Sequence, residues 1–324
     1  MVTIDDIDSA ARRLAGHAVR TPLLASAELD ARVGGSVLIK PETLQRTGSF
    51  KFRGAYNAVS ALPEAERAAG VVAVSSGNHA QGVAAAAALF GIAATIVMPD
   101  DAPRAKLEGT RRLGATVITY DRAAGVDREA IAAEIIARTG ARLIHPYNEP
   151  LVIAGQGTIG LEIAADCAAA GRAVDAVLVP AGGGGLSSGI ALALHHRMPA
   201  TRLYLVEPEG FDDYGRSLAS GRIERNAATS GSVSDSLLSP APGAVGFAIN
   251  HRLAAGALAV SDDEALEAVA FAFRRLKLVV EPGGAVALAA LLAGRFDAAG
   301  RTVVIVLSGG NIDEAMLARA LARP

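Results

Sequence analysis

Short β-branched apolar runs alternate along this chain with longer Ala-rich stretches whose apolar positions recur at helical spacing. The runs predict strands at 37–40, 71–75, 94–98, 116–120, 143–145, 176–180, 203–207 and 303–308. The longer stretches predict helices that include 4–15, 80–90, 104–113, 128–138, 155–170, 187–196, 262–276 and 285–292. Several strand runs are apolar at every position, as expected where both faces of a sheet are covered. Strand and helix in alternation imply βαβ units, parallel sheets and an α/β fold. In such folds ligands bind at the carboxyl ends of strands, and the chemically informative motifs of this chain follow strand ends. Residues 221–243 are rich in Ser, Pro, Ala and Gly and carry little periodicity, so they read as an irregular excursion near a site rather than a linker.

Composition narrows the function classes. The 324 residues allow two domains or one large one, and 51% hydrophobic residues easily build a large core. A net charge of -2 gives no electrostatic case for nucleic acid or an anionic membrane. The absence of Trp argues against a stacking platform for single strands. Cys167 is the single cysteine, so no internal disulfide is expected, which fits a cytoplasmic location. The segment Met1-Val2-Thr3-Ile4-Asp5-Asp6 lacks the basic and apolar regions of a signal peptide. Apolar stretches such as 83–90 are far shorter than a bilayer span, so no membrane helix is expected.

Four runs carry candidate chemistry. In Thr47-Gly48-Ser49-Phe50-Lys51-Phe52-Arg53-Gly54-Ala55 a lysine sits in a small, apolar setting beside an aromatic ring. Desolvation there favours the neutral, nucleophilic amine that Schiff-base chemistry needs; a solvated surface lysine is the plain alternative. Ser75-Ser76-Gly77-Asn78-His79-Ala80-Gln81-Gly82 follows a strand and opens a helix, where backbone N–H groups bind carboxylates. An ordinary Ser/Asn cap would use the same residues. Pro180-Ala181-Gly182-Gly183-Gly184-Gly185-Leu186-Ser187-Ser188-Gly189 offers accessible backbone N–H groups that can wrap a phosphate, and matches neither GxGxxG nor a Walker A loop. Leu307-Ser308-Gly309-Gly310-Asn311 presents a neutral hydroxyl at another strand end, or simply a capped turn.

Together these runs resemble the fold-type II pyridoxal-phosphate enzymes, in the branch of threonine/serine dehydratases and serine racemases. The likeness extends to Lys40-Pro41-Glu42, His145-Pro146-Tyr147-Asn148, Val152-Ile153-Ala154-Gly155-Gln156-Gly157-Thr158 and Val206-Glu207-Pro208. It implies a two-domain fold like the tryptophan synthase β subunit, with mostly parallel sheets covered by helices. Residues 1–61 and 149–324 would form the large cofactor-binding domain and 62–148 a small mobile one. By the same resemblance Lys51 forms the Schiff base and Phe50 packs beside the pyridine ring. Asn78 contacts the ring hydroxyl, Gly182, Gly183, Gly184, Gly185 and Leu186 hold the phosphate, and Ser308 faces the ring nitrogen. Ser75, Ser76, Gly77, Asn78 and His79 receive the substrate carboxylate. A serine opposite the ring nitrogen makes a weaker electron sink than an aspartate, which suits β-elimination better than transamination.

Three positions mark the branch. Ser76 stands where racemases and hydroxyaspartate dehydratases carry a serine, on the cofactor face opposite the lysine, as a second acid/base group. Glu207, the Phe211 carbonyl and Asp213 resemble a divalent-ion site for Mg²⁺ or Ca²⁺; an acidic surface turn is the bland alternative. Arg128 falls where an arginine could meet a second substrate carboxylate, or it is a solvated helix residue. Two departures bear on substrate range: Ser236 replaces a glycine common in the family, and Asn148 replaces an acidic residue common in threonine dehydratases. With the chain ending at Pro324, feedback control through a regulatory domain is not expected.

The expected activity is conversion of L-threonine and L-serine, small hydroxy amino acids, to a 2-oxo acid and ammonia. Serine racemisation and threo-3-hydroxyaspartate dehydration are the near alternatives, β-replacement and a non-catalytic binding relative the distant ones. The resemblance also implies a homodimer or homotetramer.

Overall fold

The computed structural model describes residues 2–75, 77–102, 104–121 and 124–323. Ten strands are present among them: β1 (Leu24–Ala25), β2 (Ser36–Pro41), β3 (Val71–Val74), β4 (Ala94–Pro99), β5 (Thr116–Tyr120), β6 (Arg142–Leu143), β7 (Ala176–Pro180), β8 (Arg202–Pro208), β9 (Ala254–Val260) and β10 (Thr302–Leu307). They form two sheets. One has the order β1-β2-β10-β7-β8-β9, the other β5-β4-β3-β6. Only the β1–β2 pair is antiparallel; every other ladder is parallel.

The apolar runs explain which strands lie centrally. Val303 to Leu307 of β10 are fully buried, with β2 on one side and β7 on the other. The helix Pro282–Leu292 covers this sheet and is buried along nearly its whole length, as its all-round apolar sequence requires. The smaller sheet is flanked by the helices Asn78–Leu89 and Arg128–Thr139. Both sheets carry their chemically marked loops at carboxyl ends, after β3, β7, β8 and β10.

The differences from the sequence reading have local causes. The edge strand β9, Ala-Ala-Gly-Ala-Leu-Ala-Val, lacks the β-branched signature and is set by pairing with β8. The helix predicted at 155–170 starts earlier, at Pro150, because proline is favoured in a first turn. The stretch 262–276 is a helix over Asp262–Phe271 that continues as π-type turns over Ala272–Leu276 and ends at Lys277 with φ 59°. The helices Ala27–Val33, Lys51–Ser60, Glu64–Arg67, Asp213–Ser220, Ala244–Leu253 and Glu314–Leu321 were not among the predicted ones. The helix Pro150–Ala169 is long and apolar enough to cross a bilayer, yet 67% of its most apolar window is buried inside the protein, as in a core helix.

Candidate active site

Lys51 opens the helix Lys51–Ser60, directly after the backbone N–H of Phe50 has bonded the Ser308 carbonyl at 3.0 Å. The turn that carries the lysine is thus tied to the end of β10. Thr47, four residues earlier, holds a left-handed conformation at φ 61°, and its carbonyl accepts from Asn311 at 2.8 Å. The Lys51 amine lies 5.1 Å from the Phe50 ring centre and donates to the Pro146 carbonyl at 3.1 Å. Burial lowers its pKa to about 8, against the opposing pull of Glu281. The amine is therefore far easier to deprotonate than a surface lysine.

Two histidines close the same space without adding charge. His79 is buried, and burial followed by repulsion from Lys51 drops its pKa to about 3. Its Nε2 donates to the Ile144 carbonyl at 2.8 Å, which leaves Nδ1 unprotonated and without a partner. His145 is held at about 4 by burial, Lys51 and Arg128, and its Nδ1 accepts from the Asn148 N–H at 2.9 Å. The imidazole of His79 is neutral and turned toward Ile144, so a carboxylate-binding role there falls to its backbone N–H. The helix Asn78–Leu89 has no side-chain cap at Gly77, and its first-turn amides lack helical acceptors.

The glycine run lies beside this lysine through Tyr147. A Cβ on Gly183 would run into the Tyr147 ring, whose residue follows the Pro146 that accepts from Lys51. Gly184 adopts φ 90°, where side chains are strained, and a Cβ there would collide with the Tyr214 hydroxyl. The run therefore stays a bare backbone cradle ending at the N-terminus of the helix Gly185–Arg197, a favourable position for a phosphate. A buried amine, a glycine cradle and a hydroxyl at the end of β10 fit a phosphorylated aldehyde such as pyridoxal phosphate. Ser308 is 5% exposed.

Asn78 is held from two sides. Its amide donates to Glu281, and its oxygen accepts from Asn311 at 2.8 Å. Sequence reasoning missed Glu281, although an acid preceding Pro282 at the head of an apolar helix is a recognisable start signal. It also missed Lys106, whose amine reaches Asp235 at 2.9 Å and Glu281 at 4.0 Å. Next to Asp235, the Ser236 hydroxyl occupies the space a Cβ on Gly283 would need.

Other expected positions fall where they can be assessed singly. Ser76 lies outside the described residues. Ser75 Oγ accepts from the Gly77 N–H at 3.2 Å. Leu186 is buried in the first turn of its helix. Arg128 opens its helix about half exposed, pairs with Glu129 at 3.5 Å, and its charge reaches both His145 and Tyr147. Asn148 Oδ1 accepts from the Val245 N–H at 3.0 Å, and its backbone N–H bonds His145.

Glu207 and Asp213 are fully buried. The Glu207 oxygens accept the Tyr214 and Gly215 N–H groups, both at 2.9 Å. Asp213 accepts from Asn226 at 2.7 Å through one oxygen, and the other oxygen has no partner. Burial, then the neighbouring carboxylate, pushes Glu207 well above its ordinary range; burial raises Asp213 to about 6. Phe211 is buried between them in sequence. Among the described residues no cluster of three His, Cys, Asp or Glu side chains gathers as a metal site; the expected set contains two carboxylates and a carbonyl.

Comparison with known proteins places these features in a family. The profile of the family described as "Pyridoxal-phosphate dependent enzyme" matches residues 14–309. The chain is 44% identical over 321 residues to an L-threonine ammonia-lyase of Thermotoga maritima, covering 99% of this chain and 78% of that protein. It is 47% identical over 308 residues to an L-threo-3-hydroxyaspartate ammonia-lyase of a Pseudomonas species, covering 95% of each. The structure of maize serine racemase superposes with a TM-score of 0.91 at 36% identity, over 99% of this chain and 97% of that one.

Proposed function

The chain belongs to the pyridoxal-phosphate dependent enzyme family, and from that premise we propose that it is an ammonia-lyase for L-threonine and L-serine. The observation that carries this reading is the desolvated Lys51 amine, bonded to the Pro146 carbonyl beside the Tyr147 that packs on the glycine cradle, with neutral histidines near it. Bound pyridoxal phosphate supplies an aldehyde that condenses with amines and a conjugated ring that takes up electrons when the substrate Cα–H bond breaks.

The roles of the chain's own groups follow from their placement. Lys51 Nζ is the group that would hold the cofactor's aldehyde, and as a free amine it would take the substrate Cα proton. Phe50 would pack beside the ring, Asn78 would bond the ring hydroxyl and Ser308 would face the ring nitrogen. Gly182, Gly183, Gly184, Gly185 and Leu186 would hold the phosphate. The amides and hydroxyls of Ser75, Ser76, Gly77, Asn78 and His79 take the substrate carboxylate. The Cα electron pair forms a Cα–Cβ double bond as the β-hydroxyl leaves with a proton as water. Hydrolysis of the resulting enamine consumes one water and yields 2-oxo acid and ammonia.

Residues 62–148, which carry the smaller sheet, form in this reading a mobile unit against 1–61 and 149–324. The enzyme acts in the cytoplasm as a homodimer or homotetramer. Exposed Val279, whose carbonyl lies against Gly310 together with Thr43, and exposed Leu44, next to Thr43 in sequence, support such a contact. The test is 2-oxo acid release by the cofactor-loaded protein from L-threonine, L-serine and L-threo-3-hydroxyaspartate. Release from the first two supports the reading. Release confined to the third makes Arg128 the ligand of a second carboxylate, an outcome favoured by the reach of its charge to Tyr147. Inversion of serine without 2-oxo acid would instead assign racemisation, with Ser76 as the second acid/base.

Glu207, the Phe211 carbonyl and Asp213 would hold Mg²⁺ or Ca²⁺. What supports this is the unpartnered Asp213 oxygen and the raised pKa of both carboxyls, which a dication would reverse. Mg²⁺ at about a hundred times its Kd is expected to stabilise the protein by about 2.7 kcal/mol. Melting in Mg²⁺ against melting in chelator reads this out. Glu207→Gln should abolish the Mg²⁺ effect, and its NH2 group forfeits one of the two backbone N–H bonds that Glu207 accepts. Identical Mg²⁺ responses in parent and variant would refute the site.

A further inference from the structure

Three separate stretches of chain meet behind Asn78 around one buried lysine. Lys106 lies on the helix Arg104–Arg112, which flanks the smaller sheet, and is 8% exposed. Its amine bonds Asp235 at 2.9 Å, in the irregular excursion, and faces Glu281 at 4.0 Å, at the head of a helix on the larger sheet. Its Cδ and Nζ lie 3.2 and 3.3 Å from where a Cβ on Gly77 would stand. Glu281 in turn receives the Asn78 amide through one oxygen, and its other oxygen is buried without a hydrogen bond. A buried carboxyl with one unbonded oxygen beside a buried ammonium is an unusual arrangement for a purely structural contact, because the charge of each depends on the other.

We infer that Lys106 is a positioning residue: its amine, reaching Glu281 from the helix beside the smaller sheet, steadies the carboxyl that receives the Asn78 amide, and Glu281 thereby fixes Asn78 toward the cofactor's ring hydroxyl. The inference rests on the proposed role of Asn78 above. The groups that face Glu281 are Lys106, Asp235, Asn78 and Lys51, and Asp313 also faces Lys106. Burial raises Glu281 to about 7, with Lys106 opposing that rise and Asp235 adding to it. Burial works against the Lys106 charge as well, yet Glu281, Asp235 and Asp313 hold its pKa above the ordinary lysine value. Removing Lys106 would let the Glu281 pKa climb further, so that the carboxyl is neutral at pH 7 and the Asn78 amide loses its charged anchor.

The experiment is a pH titration of bound-cofactor absorbance in the loaded protein without substrate, for the parent, Lys106→Met, Lys106→Arg and Glu281→Gln. The parent should show a transition near neutral pH. Lys106→Met should move that midpoint alkaline by about one pH unit, equal to tenfold in proton affinity. Lys106→Arg should restore it, and Glu281→Gln should abolish it. An unshifted midpoint in Lys106→Met overturns the inference, as does a transition that survives in Glu281→Gln; the latter decides the matter even if Lys106→Met does not fold. Lys51→Ala in parallel separates the two levels. If it retains the covalent absorbance, the reading of the site itself fails; if it loses that absorbance while Lys106→Met matches the parent, only the role of Lys106 fails.

Discussion

Lys51→Ala is expected to lower 2-oxo acid release by at least about 1,000-fold, while leaving the cofactor bound without a covalent link. Two functions converge on this one amine, attachment of the cofactor and removal of the Cα proton. His79 and His145 also interact with this amine, but one is turned to the Ile144 carbonyl and the other accepts backbone N–H groups. Their low pKa values, about 3 and about 4, also make them weak proton acceptors at neutral pH. The glycine cradle and Asn78 are untouched by the substitution, so affinity for the cofactor should fall much less than activity. Borohydride reduction followed by mass measurement checks the covalent link, and a lactate dehydrogenase-coupled assay checks turnover on serine. Turnover within tenfold of the parent would remove Lys51 from its assigned role.

Arg53→Met is expected to destabilise the fold by about 3–5 kcal/mol, a large share of the roughly 5–15 kcal/mol that holds a protein folded. Arg53 is 1% exposed and binds two carboxylates at once. Its Nε and Nη2 meet Glu42 at 2.7 and 2.8 Å, and its Nη1 and Nη2 meet Glu162 at 2.6 and 2.9 Å. Lys40 meets Glu162 as well, at 2.6 Å. Burial raises the Glu42 pKa, but Arg53 and the Thr21 hydroxyl overcome that and hold it below the ordinary carboxylate range. In the parent, Glu42 therefore contributes stability above the unfolded carboxylate pKa, and this is lost as pH falls through the folded value. In Arg53→Met the sign inverts. With Arg53 gone, burial, the largest influence on Glu42, outweighs the remaining Thr21 hydroxyl and Lys40, so Glu42 binds its proton more tightly folded than unfolded, and stability falls as pH rises. Urea melts between pH 5 and 8 should show the variant losing stability with rising pH, against a flat or rising parent. A loss below 1 kcal/mol would mean that the network reorganises around the missing guanidinium.

Sequence legibility here followed the range of the determining interaction. The strands at 116–120 and 176–180 coincide with β5 and β7, because the first is mostly β-branched and the second is a short apolar run ahead of a glycine-rich loop, both read locally. The glycine run and the lysine run are short motifs, and residue types and spacing alone make their conjunction informative. The edge strand β9 was not legible, since its small residues take their conformation from β8. Glu281 and Lys106 were missed for a related reason: their partners lie 203 and 129 positions away in the chain. The neutrality of His79 likewise depends on burial against Ile144, 65 positions on, so its sequence neighbours could not show that the ring faces away from a substrate carboxylate.

Ser236 and Gly283 share one volume, and this gives the site a direction of descent. A lineage that enlarged residue 283 first would pass through a clash with the serine hydroxyl. One that first trimmed residue 236 to glycine would pass through a small void, the milder intermediate of the two. Bulk thus passes more easily from the excursion to the helix with the loss at residue 236 preceding the gain at residue 283, since the reverse order obliges the serine hydroxyl to turn away.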